Sequence, residues 1–172
     1  MTTQTIPMTT PMPATDSQRC AYQEQDAKMT LAEGLAEYQR ANASVLFDPD
    51  APDSEMNTES AKFFRRHDTC HVVFGCNTSI PQEAAADMWT IFGVDISLRD
   101  YYRALKLNEV QSLLDDVGRL RLAWASVKAV PTIWRAMWRA RAMHKKWPWA
   151  DHAMYLDRPL AEIRAEFGIR VL

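Results

Sequence analysis

Glycine is scarce, with five in 172 residues. That is too few for a fold that must turn a strand every ten residues or so, and it weighs toward helices. Cysteine is scarce too. Cys20, Cys70 and Cys76 are odd in number and belong to no disulfide-rich frame, which points to a reducing compartment. No stretch approaches the ~18 uninterrupted apolar residues of a spanning helix. The first 18 residues contain no Lys or Arg and no apolar core of a secretory signal, and the missing arginine also argues against a mitochondrial transit peptide. A bacterial cytoplasmic protein is the expectation. The most telling absence is acidic: from Val117 to Ala150 there is no Asp or Glu, while Arg119, Arg121, Lys128, Arg135, Arg139, Arg141, Lys145 and Lys146 are all basic. The whole chain still balances to −2. Its remainder is therefore strongly acidic, and the near-neutral total argues against a nucleic-acid-coating protein.

A composition of 47% hydrophobic and 24% charged residues is that of a folded globular chain, of a length that suits one domain. The Thr- and Pro-rich beginning reads as a disordered tail over residues 1–25, leaving a helical domain over 26–172. Thr30 with Glu33 three residues on forms a capping box, and Leu31, Leu35 and Tyr38 recur at helical spacing. FDPDAPDSEMN, residues 47–57, breaks the pattern as a solvated loop. A second helix runs from Thr58 to about Gly75, whose missing Cβ suits a left-handed cap. Ser79 before Pro81 starts a third, carrying Trp89, Ile91 and Phe92. Beyond Ser97 the pattern is almost continuously helical, with a break at Gly118. Pro131 begins or kinks a basic helix over 132–146, which Trp147-Pro148-Trp149 ends, and Pro159 to Phe167 forms a last short helix closed by Gly168. With no alternating strand, the expected architecture is an all-α, single-domain helical bundle.

The chemistry concentrates in His67-Asp68-Thr69-Cys70-His71, with Glu83 following after eleven intervening residues. At about 100° per residue, His67, His71 and Asp68 project at roughly 0°, 40° and 100°, on one face. Imidazoles one turn apart can reach the same ion. If the next helix runs back antiparallel, Glu83 in its first turn folds over that ion. Two neutral imidazoles and two carboxylates neutralise a divalent cation, and this donor mixture suits Zn²⁺, Fe²⁺ or Mn²⁺ rather than calcium. Zinc is the first expectation. Cys70 reads mainly as a small buried hydrophobe that could also approach the site, and Glu83 could equally serve the helix dipole.

The pattern H-D-x-x-H, eleven residues, E, within HDTCHVVFGCNTSIPQE, resembles the metal-binding signature of the ubiquinone-biosynthesis family named for the fourth coenzyme-Q complementation group. The ending PWADHAMYLDRPLAEIRAEFGI is similar to the family's as well, and the likeness spans residues 59–172. Thr69 and Cys70 stand where typical members carry aromatics, and Gln82-Glu83 stands where they carry Gly-Glu. The resemblance implies a helical protein that holds a divalent metal through His67, Asp68, His71 and Glu83. It also implies peripheral association with membranes and with other quinone-biosynthesis enzymes. The implied activity is oxidative decarboxylation and hydroxylation of the ring of a polyprenylated quinone precursor; the alternative is a non-catalytic lipid-binding scaffold with a structural metal. A metal-dependent hydrolase is a third reading, and a homodimer is left open.

Within the acid-free block, Lys128, Arg135, Arg139 and Lys146 recur along one helical face, and Val127, Val130, Trp134, Met137 and Trp138 along another. One reading is a core helix with a solvated basic side. The other is an interfacial helix, with Lys128, Trp134, Arg135, Trp138, Arg139 and Lys146 meeting the membrane. No nucleic-acid motif accompanies the charges. The nine methionines suit gap-filling in a helical core, or a tunnel for an isoprenoid tail.

Overall fold

The computed structural model describes residues 19–43, 58–104 and 119–172. Among these the protein is all-α. There are six helices, α1 (Leu31–Ala41), α2 (Thr58–Phe74), α3 (Ile80–Gly93), α4 (Leu98–Ala104), α5 (Arg119–Arg141) and α6 (Leu160–Phe167), with one 3₁₀ turn at Ala21–Gln23 before α1 and another at His152–Tyr155 between α5 and α6. The only extended pairings among the described residues are isolated bridges, Thr30 with Pro159 and Val94 with Trp147. The expected loop over 47–57 and the expected break at Gly118 lie outside the described residues.

Each helix boundary follows from its local chemistry. The Thr30 hydroxyl accepts from the Glu33 N–H while the Glu33 carboxylate accepts from the Thr30 N–H, closing the capping box of α1. Gly75 takes φ +70°, and the Cys76 N–H returns to the His71 carbonyl at 2.8 Å, which ends α2. The turn that follows is pinned. The Ser79 N–H donates to Asn77 Oδ1, and the Thr78 hydroxyl donates to Asn42 Oδ1 at the end of α1. Gly168, at φ +71°, closes α6.

The core gathers Tyr22, Leu31, Tyr38, Phe74, Trp89 and Trp147 with the buried face of α6. Trp147 packs its ring against Tyr155 and Phe167. Two expectations are corrected. Residues 19–25 are not tail: Tyr22 is fully buried and its hydroxyl donates to the Cys76 carbonyl at 3.0 Å. The basic helix runs from Arg119 to Arg141, not over 132–146, and carries Pro131 in its interior.

Among the described elements, the helix pair α3 and α5 makes the most extensive contact. Among the described side chains of α5 the buried ones are Ala129, Ala136 and Ala140, which let the two helices approach closely. Gly93 shares that approach, since a Cβ there would lie 2.8 Å from Met143 Sδ and 3.5 Å from Ala140 Cβ. Among the described side chains of α5, alanine and not tryptophan thus makes the inward face. Trp134 and Trp138 are 58% and 55% exposed and stand edge to face with Val130 exposed beside them.

Candidate metal centre

The hairpin of α2 and α3 brings two side chains from each helix together. His67 and His71 lie one turn apart on α2, and Glu83 and Asp87 one turn apart on α3. Because the turn at 75–79 reverses the chain, the order inverts: His71 meets Glu83, and His67 meets Asp87. The distances are 3.3 Å from His71 Nε2 to Glu83 Oε2 and 3.9 Å from His67 Nε2 to Asp87 Oδ1. One turn further, Phe63 and Ile91 share a small apolar cluster with Tyr101.

Ligand atoms of His67, His71 and Glu83 all lie within 4.8 Å of one another, a group that could hold a metal ion. His71 supplies the test of fit. It is 0% exposed, and neither ring nitrogen has a hydrogen-bond partner. Orphaned buried nitrogens are costly, and a cation between His71 and Glu83 would remove one of them. Two ligands ~2.1 Å from a tetrahedral ion stand about 3.4 Å apart, close to the spacing of His71 and Glu83. That contact lacks the alignment of a hydrogen bond, as two ligands sharing an ion would.

Rings wall the centre. Phe63 stacks on His67 with centroids 5.7 Å apart, His67 meets His71 edge to face, and Tyr38 stacks on His71 from α1. Enclosure by protein would by itself raise Glu83, but the charge and contact of His71 and the charge of His67 hold it below the usual glutamate value. Burial works against the protonated form of His67. Its contact with Asp87 and the charges of Glu83, Asp87 and Asp68 outweigh that and raise it. Asp68 is pushed up to about 6, chiefly by burial, with His71 and His67 pulling the other way.

Three of the four expected ligands are therefore brought together, and Asp68 stands outside the group. The reason is angular: Asp68 is a quarter turn from His67, and it lies buried where its charge also bears on Tyr38. Cys70 is fully buried and directed at the Thr90 hydroxyl; burial pushes its thiol up to about 12, so it stays protonated. Asp87 and Tyr101, which donates its hydroxyl proton to Asp87, were not singled out from the sequence. The signal for Asp87 was its place four residues after Glu83, repeating the spacing of the histidines.

The six expected membrane-facing residues divide. Trp134, Arg135 and Trp138 are exposed on α5. Arg139 instead donates to the Arg170 and Val171 carbonyls and holds the C-terminal segment. Lys146 is exposed but lies beyond the end of α5, so it extends no stripe. The Lys128 side chain lies outside the described residues. No helix among the described residues is long and apolar enough to cross a membrane. No protein-family model, curated protein or solved structure matches this chain.

Proposed function

We propose that this chain is a divalent-metal-dependent enzyme of quinone biosynthesis that acts at a membrane surface on a polyprenylated hydroxybenzoate-type precursor. It removes the ring carboxylate as carbon dioxide and oxygenates the carbon that bore it, with dioxygen as oxidant: one oxygen atom enters the ring, the other leaves as water, and the hydroxybenzoate ring ends at the quinone level. The observation that carries the reading is the shape of the centre. Two histidines and a glutamate converge, sealed on the core side by His71 and open where Glu83 is 40% exposed. Three protein ligands with an open side are the pattern of catalytic metal sites, whereas structural sites are closed.

A zinc, iron or manganese ion held by His67, His71 and Glu83 would supply Lewis acidity toward the ring carboxylate and its neighbouring oxygen. The remaining work falls to the chain. A cavity of about 600 Å³ is lined by Lys62, Phe63, Arg66, Arg103 and Trp149, a size suited to a ring-sized ligand. Phe63 and Trp149 offer flat faces to an aromatic ring, and Lys62, Arg66 and Arg103, the last ion-paired with Asp100, outnumber Asp95 and Asp100 and give the lining a positive balance that favours an acidic one. Asp95 and Asp100 in the same lining are engaged, by the Trp149 N–H and the Ser97 hydroxyl. Phe63 also stacks on His67, so a ring seated against Phe63 lies one side chain from the centre. No methionine lines this cavity.

The prenyl tail belongs in a bilayer, and the exposed Val130, Trp134 and Trp138 with Arg135 beside them support docking there. Other quinone-biosynthesis enzymes are the expected protein partners. A second reading, a lipid-presenting scaffold with a structural metal, draws support from the complete burial of His71. Elemental analysis of the purified protein, with mass spectrometry of co-purifying lipid, tests both against a hydrolase: each requires metal and a bound prenylated ring. Turnover then separates them. His71→Ala is expected to abolish metal binding and turnover together, and turnover retained without metal overturns the enzyme reading.

A further inference from the structure

Asp87 lies outside the three-residue ligand group, yet it is bound into the centre from two sides. Its Oδ1 accepts the hydroxyl proton of Tyr101 and faces His67 Nε2 at 3.9 Å. Tyr101 is itself fixed, since its ring is buried against Phe63, whose ring in turn stacks on His67. His67, Asp87, Tyr101 and Phe63 form a closed ring of contacts in which the imidazole plane and the carboxylate position are both set.

We propose that Asp87, held by Tyr101, is the positioning carboxylate of the metal centre: it takes the Nε2–H of His67 and leaves Nδ1 as the nitrogen that meets a divalent cation. The proposal rests on reading the cluster as a metal centre. Its physical logic is that a ligating imidazole must present one lone pair, and the group on its other nitrogen decides which one. A neutral His67 without Asp87 divides between two tautomers, of which one presents the wrong nitrogen. A 3.9 Å separation exceeds a hydrogen bond by about 0.9 Å, a gap that a small rotation of either side chain closes.

The test compares the full-length wild type with Asp87→Asn, Asp87→Glu and Tyr101→Phe. Zn²⁺ affinity is measured by competition with a chromogenic chelator, and the His67 tautomer by nitrogen-proton NMR. Asp87→Asn is expected to lose about 10- to 100-fold in affinity and to mix the His67 tautomers, which a purely structural residue would not do. Asp87→Glu is expected to restore the Nε2–H tautomer, and Tyr101→Phe to show the same changes as Asp87→Asn to a smaller degree. Wild-type affinity and an unchanged tautomer in a folded Asp87→Asn overturn the proposal and leave the metal centre standing. Loss of all Zn²⁺ binding in that variant also overturns it, by making Asp87 a ligand. A wild type that binds no Zn²⁺, Fe²⁺ or Mn²⁺ overturns the centre and this proposal together.

Discussion

Arg164 shows how much a single side chain can hold. It is fully buried with no carboxylate partner among the described residues, and its guanidinium donates instead to the carbonyls of Val72 and Val73 at the end of α2 and of Tyr22 and Glu24 in the first turn. Burial pulls it down to about 10, so it remains charged at neutral pH. Arg164→Met keeps the bulk and strands those carbonyls; a loss of roughly 2–4 kcal/mol is expected in denaturant unfolding. Asp68 behaves oppositely. Its folded pKa of about 6 lies above the usual ~3.9, so the folded state binds its proton more tightly. Asp68 therefore destabilises the metal-free fold above that range, and the penalty fades as pH falls through 6 and is gone below about 4. Metal-free Asp68→Asn should exceed wild type by about 2–3 kcal/mol at pH 7 and match it below pH 4. Thermal melts at the two pH values check the sign. The histidine pair was legible from spacing alone, because a four-residue period on a helix fixes a shared face, whereas Glu83 followed only on the condition that the next helix run back antiparallel. Asp87 was not, because an acid one turn beyond another acid is ordinary on a solvated helix, and only the register of the hairpin sets it against His67.

At the scale of elements, boundaries that depend on local chemistry were legible: the capping box at Thr30, the left-handed Gly75 and Gly168, the start at Ser79. The orientation of α5 was not. Its tryptophans read as one side of an amphipathic helix whose apolar stripe could turn inward, but only small side chains fit between α3 and α5, so Ala129, Ala136 and Ala140 won the interior. Ala136→Leu is expected to overpack that seam and cost about 1–3 kcal/mol, read as a lowered unfolding midpoint. The outward face predicts the reverse pattern. Trp134→Ser with Trp138→Ser should leave stability within about 0.5 kcal/mol while reducing co-sedimentation with anionic vesicles; unchanged vesicle binding would count against docking through α5.

For the whole molecule, the all-α architecture followed from few glycines and continuous 3.6-residue periodicity, whereas the extent of the folded domain did not. Tyr22 belongs to the core because its partners Tyr38 and Cys76 come from distant elements, which no local pattern announces. The candidate centre has the opposite character. His67, His71, Glu83 and Asp87 all come from one hairpin whose turn is pinned to the end of α1. Closing that hairpin spans a short loop and costs little chain entropy, so contacts within it can form early during folding. A cation bridging α2 and α3 would then act on the rate of folding as well as on its equilibrium. Stopped-flow refolding should run faster with Zn²⁺ than in chelator, and His71→Ala should remove the difference. The centre would serve the nascent chain as a clasp before it serves any substrate.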